Sequence, residues 1–202
     1  MGERAPRLVL ASASLARRRL LEAAGLAFEV LPADVDEADI TRRAIAARTS
    51  PRAIAEMLAI AKAEAVGGRR PDCVVIGADQ VLALGDEVFD KPQDLGAARE
   101  QLARLRGKVH VLHTAAALAV AGNGVWSNVE QARLAMRPFT DAFLAAYVAS
   151  AGPGICRSVG AYEIEGRGIQ LFEHIDGDYF SIIGLPLLAL LGELRRRGVL
   201  ER

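Results

Sequence analysis

The sequence has no excess charge of either sign: 25 Lys plus Arg stand against 25 Asp plus Glu, a formal net charge of +0. That balance excludes a polycationic nucleic-acid coat and an acidic disordered tail. Aromatic residues are scarce, at 5% of 202 residues, and no basic stripe interleaves with them, which argues against a nucleic-acid partner. Cysteine is scarcer still. Cys73 and Cys156 stand far apart without CxxC spacing, so neither a disulfide framework nor a zinc site is indicated. Cys73 opens the run Cys73-Val74-Val75-Ile76 and reads as a small buried hydrophobe. No apolar run approaches the roughly 20 residues of a membrane helix. The short apolar stretch near the N-terminus runs directly into Ser12 and Arg17 to Arg19, unlike a signal peptide, and the expected location is the cytoplasm.

What the sequence does have is the composition of an ordinary folded protein, 51% apolar and 25% charged. At 202 residues it fits one domain or two small lobes, a domain typically taking about 100–200 residues. Strand and helix signals alternate, which predicts an α/β architecture. Leu8 to Ala11 reads as a buried strand, and Ser12 to Ser14 cap a helix carrying Leu15, Leu20 and Leu21 up to Gly25. Phe28 to Leu31 is a second strand. Ser50-Pro51 starts a long helix whose apolar stripe is predicted as Ile54, Met57, Leu58, Ala61 and Ala65, ending at Gly67-Gly68. A strand from Cys73 follows and is predicted to end near Ala78.

Gly85-Asp86 signals a hairpin after Val81 to Leu84, returning through Val88-Phe89. Asp94 caps a helix to about Arg106. Val109 to Ala121 and Val125 to Met136 form a longer hairpin around Gly122-Asn123-Gly124, so the sheet is expected to be mixed and twisted, with flanking helices. Thr140 to Ser150 and Leu187 to Arg197 are helical, and the Gly-rich stretch from Gly160 to Gly184 predicts turns and close backbone approaches.

Several groups of residues could carry chemistry. Ser12-Ala13-Ser14-Leu15-Ala16-Arg17 takes a strand into a helix N-terminus, where free N–H groups, hydroxyls and a guanidinium fork suit an anion. A Ser-capped surface helix with solvated arginines explains the same residues equally well. Asp34, Asp36 and Glu37 follow a strand and read either as a solvated turn or as an acidic site. Asp79-Gln80 follow a fully apolar strand, where Asp79 could bind a metal or act as a base; a capping role is the alternative. Lys62 and Lys91 gain meaning only if they converge with Asp79 and Arg17, since lone lysines are nearly always solvated. Tyr162 reads as core. There is no GxxxxGK[ST], HExxH or GxSxG pattern and no Cys–His nucleophile pair.

Taken in order, the motifs resemble those of the Maf family of nucleoside triphosphate pyrophosphatases from Leu8 to about Leu194. The SxSxxR element matches Ser12, Ser14 and Arg17, and the DxDE element matches Asp34, Asp36 and Glu37. KA matches Lys62-Ala63, GAD matches Gly77 to Asp79, and KP matches Lys91-Pro92. GKxH matches Gly107 to His110 and TA matches Thr114-Ala115. Gly160-Ala161-Tyr162, Gly177-Asp178 and Gly184-Leu185-Pro186 complete the set.

The resemblance implies a single domain over 1–202 with two lobes around a cleft, related to the inosine triphosphatase group, and a homodimer. It implies a house-cleaning hydrolase that cuts a canonical or modified nucleoside triphosphate into monophosphate and pyrophosphate with Mg²⁺ or Mn²⁺. By positional match Asp79 would accept the proton of the attacking water and share the metal with Glu37. Ser12, Ser14, Arg17, Lys62 and Lys91 would hold the substrate. Such chemistry needs cations against a polyanion and no covalent nucleophile.

Three departures bear on the base. The family's SPRR stands here as Ser14-Leu15-Ala16-Arg17, its ADT as Ala78-Asp79-Gln80 and its IQG as Ile164-Glu165-Gly166. Gln80 and Glu165 resemble the 7-methyl-GTP branch rather than the dTTP/UTP branch, whereas the aromatic of that branch is replaced by Ala16. A carboxylate at Glu165 can accept from both N1–H and the exocyclic amine of guanine. The expectation is a purine-leaning, 7-methyl-GTP-like specificity with room for breadth. A non-catalytic nucleotide-binding regulator linked to septum formation is the alternative.

Overall fold

The structure is a computed structural model and describes residues 7–201. Residues 1–6 and the last residue, which the single-domain expectation included, lie outside the described residues. The elements run β1 (Arg7–Leu10), α1 (Leu15–Ala23), β2 (Phe28–Val30), α2 (Glu37–Ala46), α3 (Pro51–Gly67), β3 (Cys73–Leu84), β4 (Glu87–Phe89) and α4 (Leu95–Leu105). They continue through β5 (Val109–Val120), β6 (Asn123–Met136), α5 (Asp141–Ala151), β7 (Phe172–Asp176), α6 (Tyr179–Ile183) and α7 (Leu187–Arg196), with short 3-10 turns between α5 and β7. The strands form one mixed sheet in the order β2-β1-β3-β5-β6-β7, with β4 on β3. β1 runs parallel to β2 and β3, whereas β4 and β7 pair antiparallel with β3 and β6. The α/β class and the mixed sheet are as the sequence predicts.

The chain divides into two compact units. The first takes the described residues up to Asp79, Thr114–Glu130 and those from Asp178 onward. Its parallel strands bury residues on both faces. Leu8, Leu10, Val74 and Ile76 pack with Leu21 of α1 and Leu187, Leu190 and Leu194 of α7, while Val9, Val75 and Cys73 pack with Val66 of α3. Burial on two faces is why these strands read as continuous apolar runs.

Helix α3 starts as predicted, with the Ser50 hydroxyl accepting from Ala53 N and Pro51 in the first turn. Its buried row differs from the predicted stripe. Ile54, Ala55, Leu58, Ala59, Lys62, Ala63 and Val66 are buried, whereas Met57 is 45% exposed. The small residues 55, 59 and 63 turn the helix inward because the sheet beneath them is unusually close. A Cβ on Gly77 would lie 2.1 Å from Ala59 O and 2.7 Å from Ala63 N, so only glycine admits this approach. Three polar bonds hold the helix along β6: Arg52 Nη1 to Val129 O at 2.9 Å, Ser127 Oγ to Glu56 Oε1 at 2.6 Å, and Gly124 N to Glu64 Oε1 at 3.0 Å.

Three further expectations are corrected. β3 does not stop at Ala78 but continues to Leu84, because Val81 to Leu84 stay strand-forming and Leu82 to Leu84 pair with β4. The β5–β6 hairpin turns at Ala121-Gly122, with φ of 49° and 80°, the two positive values of a type I′ turn, rather than at Gly122 to Gly124. Helix α2 was not foreseen; Asp36 caps it by accepting from Asp39 N at 2.9 Å.

The second unit comprises Gln80–His113 and Gln131–Gly177. At its centre His110, 0% exposed, meets Tyr162 OH through Nε2 at 2.7 Å, with Phe172 edge-on to Tyr162. Tyr162 is core, as predicted. Burial pushes the His110 imidazole down to about 4 and raises the Tyr162 phenol, so the bond joins two neutral groups.

Gly77→Ala is expected to lower stability by about 1–3 kcal/mol in urea unfolding, the range for overpacking a close-packed interior; an unchanged midpoint would show that α3 can lift away freely. Because folded His110 titrates near 4 and an unfolded histidine near 6.5, the unfolded chain binds the extra proton between those values. Stability should therefore fall as pH drops through that window, by at most about 1.4 kcal/mol per pH unit. His110→Gln should remove this component of the slope, and an identical slope in both proteins would assign the acid sensitivity elsewhere.

Candidate active site

Asp79 lies in the middle of β3 on the same face as Gly77, the face that α3 covers. Lys62 lies on the buried row of α3 with Ala59 and Ala63. The glycine-permitted contact thus brings ammonium to carboxylate: Lys62 Nζ stands 2.6 Å from Asp79 Oδ1, with Lys62 7% and Asp79 8% exposed. A second carboxylate reaches the same nitrogen. Glu37, in the first turn of α2, places Oε2 2.7 Å from Lys62 Nζ with half its side chain in solvent. Lysine is rarely buried unless paired, and here it is paired twice.

Arg17 secures the neighbouring backbone. Its Nη1 donates to Ala78 O at 2.8 Å and to Ser12 Oγ at 3.2 Å, and its Nε to Gly184 O at 2.9 Å. Burial lowers its pKa, opposed by the charges of Asp79 and Glu37. Nitrogens read from the sequence as a fork for phosphate therefore tie β1, β3 and the start of the Gly184 turn together. The hydroxyls of Ser12 and Ser14 accept from Ser14 N at 3.2 Å and Arg17 N at 3.4 Å. An accepting hydroxyl keeps its own O–H as a donor, so a role toward an anion stays chemically open to both.

Gly184 is held in place by Thr114 and Asp178, which the motifs include, and by Ser181 and Glu130, which they do not. Thr114 Oγ1 donates to Ser181 O at 2.8 Å, Ser181 Oγ to Glu130 Oε2 at 2.6 Å, and Ser181 N to Asp178 Oδ2 at 2.7 Å. Asp178 also caps α6.

The structure therefore gathers Glu37, Lys62, Asp79, Arg17 and Ser12 within the first unit. Ala16 sits partly buried on α1 beside Arg17. Gln80 follows Asp79 along β3 and projects to the opposite face. Lys91 and Glu165 belong to the second unit. Lys91 is exposed just after β4, and Glu165 is exposed on the turn after Tyr162.

The donor set bears on a metal. Among the described residues no three His, Cys, Asp or Glu side chains group to hold an ion. Glu37 and Asp79 nevertheless aim oxygens at one point, now taken by Lys62 Nζ. Two hard carboxylates suit Mg²⁺ or Mn²⁺, which commonly take one or two protein carboxylates and complete their shell with substrate phosphates and water. The residues fit a divalent cation that arrives with phosphate, not a preformed all-protein cage.

Known proteins resemble this chain along nearly its whole length. A family profile described as Maf-like protein matches residues 7–197. A 7-methyl-GTP pyrophosphatase of Rhizobium etli is 47% identical over 97% of this chain and 98% of its own. One of Brucella abortus biovar 1 is 47% identical over 96% of this chain and 98% of its own. A nucleoside triphosphate pyrophosphatase of Hyphomonas neptunium is 48% identical over 96% and 97%.

Arg17→Lys keeps the charge but cannot reproduce the three-acceptor fork. It should lower stability by about 1–3 kcal/mol, the range for buried acceptors left without their donor, read as a shifted urea midpoint. An unshifted midpoint would mean that the carbonyls of Ala78 and Gly184 find other donors.

Proposed function

The chain belongs to the Maf-like protein family, and we propose that it hydrolyses a nucleoside triphosphate to the monophosphate and pyrophosphate, with 7-methyl-GTP preferred over pyrimidine nucleotides. The observation that carries the reading is the Asp79–Lys62–Glu37 cluster, a carboxylate held at a defined position beside buried cations. Relatives named as 7-methyl-GTP and nucleoside triphosphate pyrophosphatases cover nearly the whole chain.

In this mechanism Asp79 accepts the proton of a water that attacks the α-phosphorus, and the electron pair of the α–β bridge leaves with pyrophosphate. Lys62 orients Asp79 before substrate arrives and turns its ammonium toward the phosphates afterwards. Lys91, Ser12 and Ser14 supply further donors, while Arg17 keeps the Ala78–Asp79 backbone in place. Mg²⁺ or Mn²⁺ bound with the substrate would neutralise charge developing on the leaving pyrophosphate, and Glu37 and Asp79 are the residues to hold it. At the base, the Glu165 carboxylate accepts from N1–H and the exocyclic amine of guanine, and its charge favours the cationic ring of 7-methylguanine. With Ala16 in place of an aromatic there is no stacking contribution there. Unmethylated GTP should accordingly remain a substrate. The location proposed is the cytoplasm, where nucleotides are made.

The test is pyrophosphate release from 7-methyl-GTP, GTP, UTP, dTTP and CTP with Mg²⁺ or Mn²⁺. Asp79→Asn should lower kcat about 100-fold or more with its circular dichroism unchanged, as for loss of a general base. Glu165→Gln should lower the preference for 7-methyl-GTP over UTP about tenfold, the worth of one charge-assisted hydrogen bond. Full activity of Asp79→Asn would refute the mechanism, and a wild type inert toward the whole panel would return the reading to a nucleotide-binding regulator.

A further inference from the structure

The geometry of Lys62 and its proposed role pull in different directions. The triphosphate reading wants its ammonium on phosphate oxygens. In the structure that ammonium lies 2.6 and 2.7 Å from the two carboxylates that a divalent cation would need. We propose that Lys62 closes the Glu37–Asp79 pair to a free divalent cation and yields it only to a triphosphate, so that metal enters together with nucleotide. The proposal rests on the pyrophosphatase reading above and adds an order of binding to it.

Glu37 and Asp79 are matched by Lys62 and by Arg17, whose guanidinium feels both carboxylates. Two negative groups therefore face two positive ones. A divalent cation arriving alone meets a pair that is already neutralised. It must either share the carboxylates with an ammonium at contact distance, cation against cation, or expel an ammonium that is 7% exposed and leave it without a counter-charge.

A triphosphate changes both terms. Its oxygens offer the ammonium new acceptors a short swing away, and a lysine can follow because its charge sits on a four-carbon stem with three rotatable donors. Glu37 is the side that gives way. It is half exposed in the first turn of α2, whereas Asp79 is held in mid-strand with its neighbour's carbonyl bound by Arg17. As Lys62 turns, the freed carboxylate oxygens and the phosphate oxygens together complete a set that suits Mg²⁺ or Mn²⁺. The same lysine thus reports that substrate is present and releases the metal ligands.

The test follows the free-ion electron paramagnetic resonance signal of Mn²⁺ titrated into the whole protein. It is run with and without GTP whose α–β bridging oxygen is replaced by methylene, with Mn²⁺ uptake by the analogue alone subtracted. Without nucleotide, Lys62→Met is expected to bind Mn²⁺ at least tenfold more tightly than wild type. In wild type the analogue should tighten Mn²⁺ at least tenfold, and Mn²⁺ should tighten the analogue by the same factor, as linkage requires. In Lys62→Met that factor should shrink. Lys62→Gln, neutral and still able to donate, gives the same comparison should the Met variant not fold. Equal nucleotide-free Mn²⁺ affinity in wild type and the neutral variants overturns the proposal, as does tight Mn²⁺ binding by nucleotide-free wild type. If wild type releases pyrophosphate while metal affinity ignores Lys62, the binding order alone is wrong. If wild type releases none and the analogue changes nothing, the pyrophosphatase reading fails with it.

Discussion

The arrangement of the site depends on one buried ammonium. Lys62, 7% exposed, has to find negative charge inside the protein, and it finds Asp79 on β3 and Glu37 on α2. Breaking a buried pair by removing one partner typically costs about 3–5 kcal/mol, so Lys62 and Asp79 constrain each other, while half-exposed Glu37 adds a looser tie. The result is a carboxylate whose direction is set before any substrate arrives, which is what a base that must meet one water requires.

That ammonium can reach Asp79 only because α3 lies unusually low on the sheet. Gly77 leaves room for the carbonyl of Ala59, and the alanines at 55, 59 and 63 give the helix a flat underside. The polar bonds from Arg52, Glu56 and Glu64 to β6 hold it there. Arg17 binds the carbonyl of Ala78, one residue before the base. Packing and hydrogen bonding therefore converge on a two-residue stretch of one strand, and the chemistry proposed for Asp79 inherits its precision from them.

Much of this was legible in the sequence, for identifiable reasons. Helix starts were readable at Ser14, Ser50, Asp94 and Thr140, because each hydroxyl or carboxylate caps a free N–H three residues on. The parallel strands were readable as apolar runs, and the motif order pointed to the family that the comparisons also find. What was not legible depends on groups that leave no mark in sequence. The carbonyls of Ala78 and Gly184 that bind Arg17 belong to whichever residue happens to stand there, so the guanidinium looked available for phosphate. The buried row of α3 leaves no mark in the sequence because Met57 and Ala61 look as apolar as Ala55 and Ala59, and only the close approach at Gly77 decides which of them turn inward. Lys62 looked solvated because lysines usually are. The role of Glu165, by contrast, was readable only as a chemical type, since its turn is exposed and packs little around it.

In the proposed mechanism a water oriented by Asp79 attacks the α-phosphorus. Hydrolysis of GTP or 7-methyl-GTP by the wild-type protein in ¹⁸O-enriched water, with mass spectrometry of both products, tests it directly. Attack at the α-phosphorus leaves one ¹⁸O in the nucleoside monophosphate and none in pyrophosphate. Label in pyrophosphate, or products consisting of nucleoside diphosphate and inorganic phosphate, would place the attack at another phosphorus and contradict it.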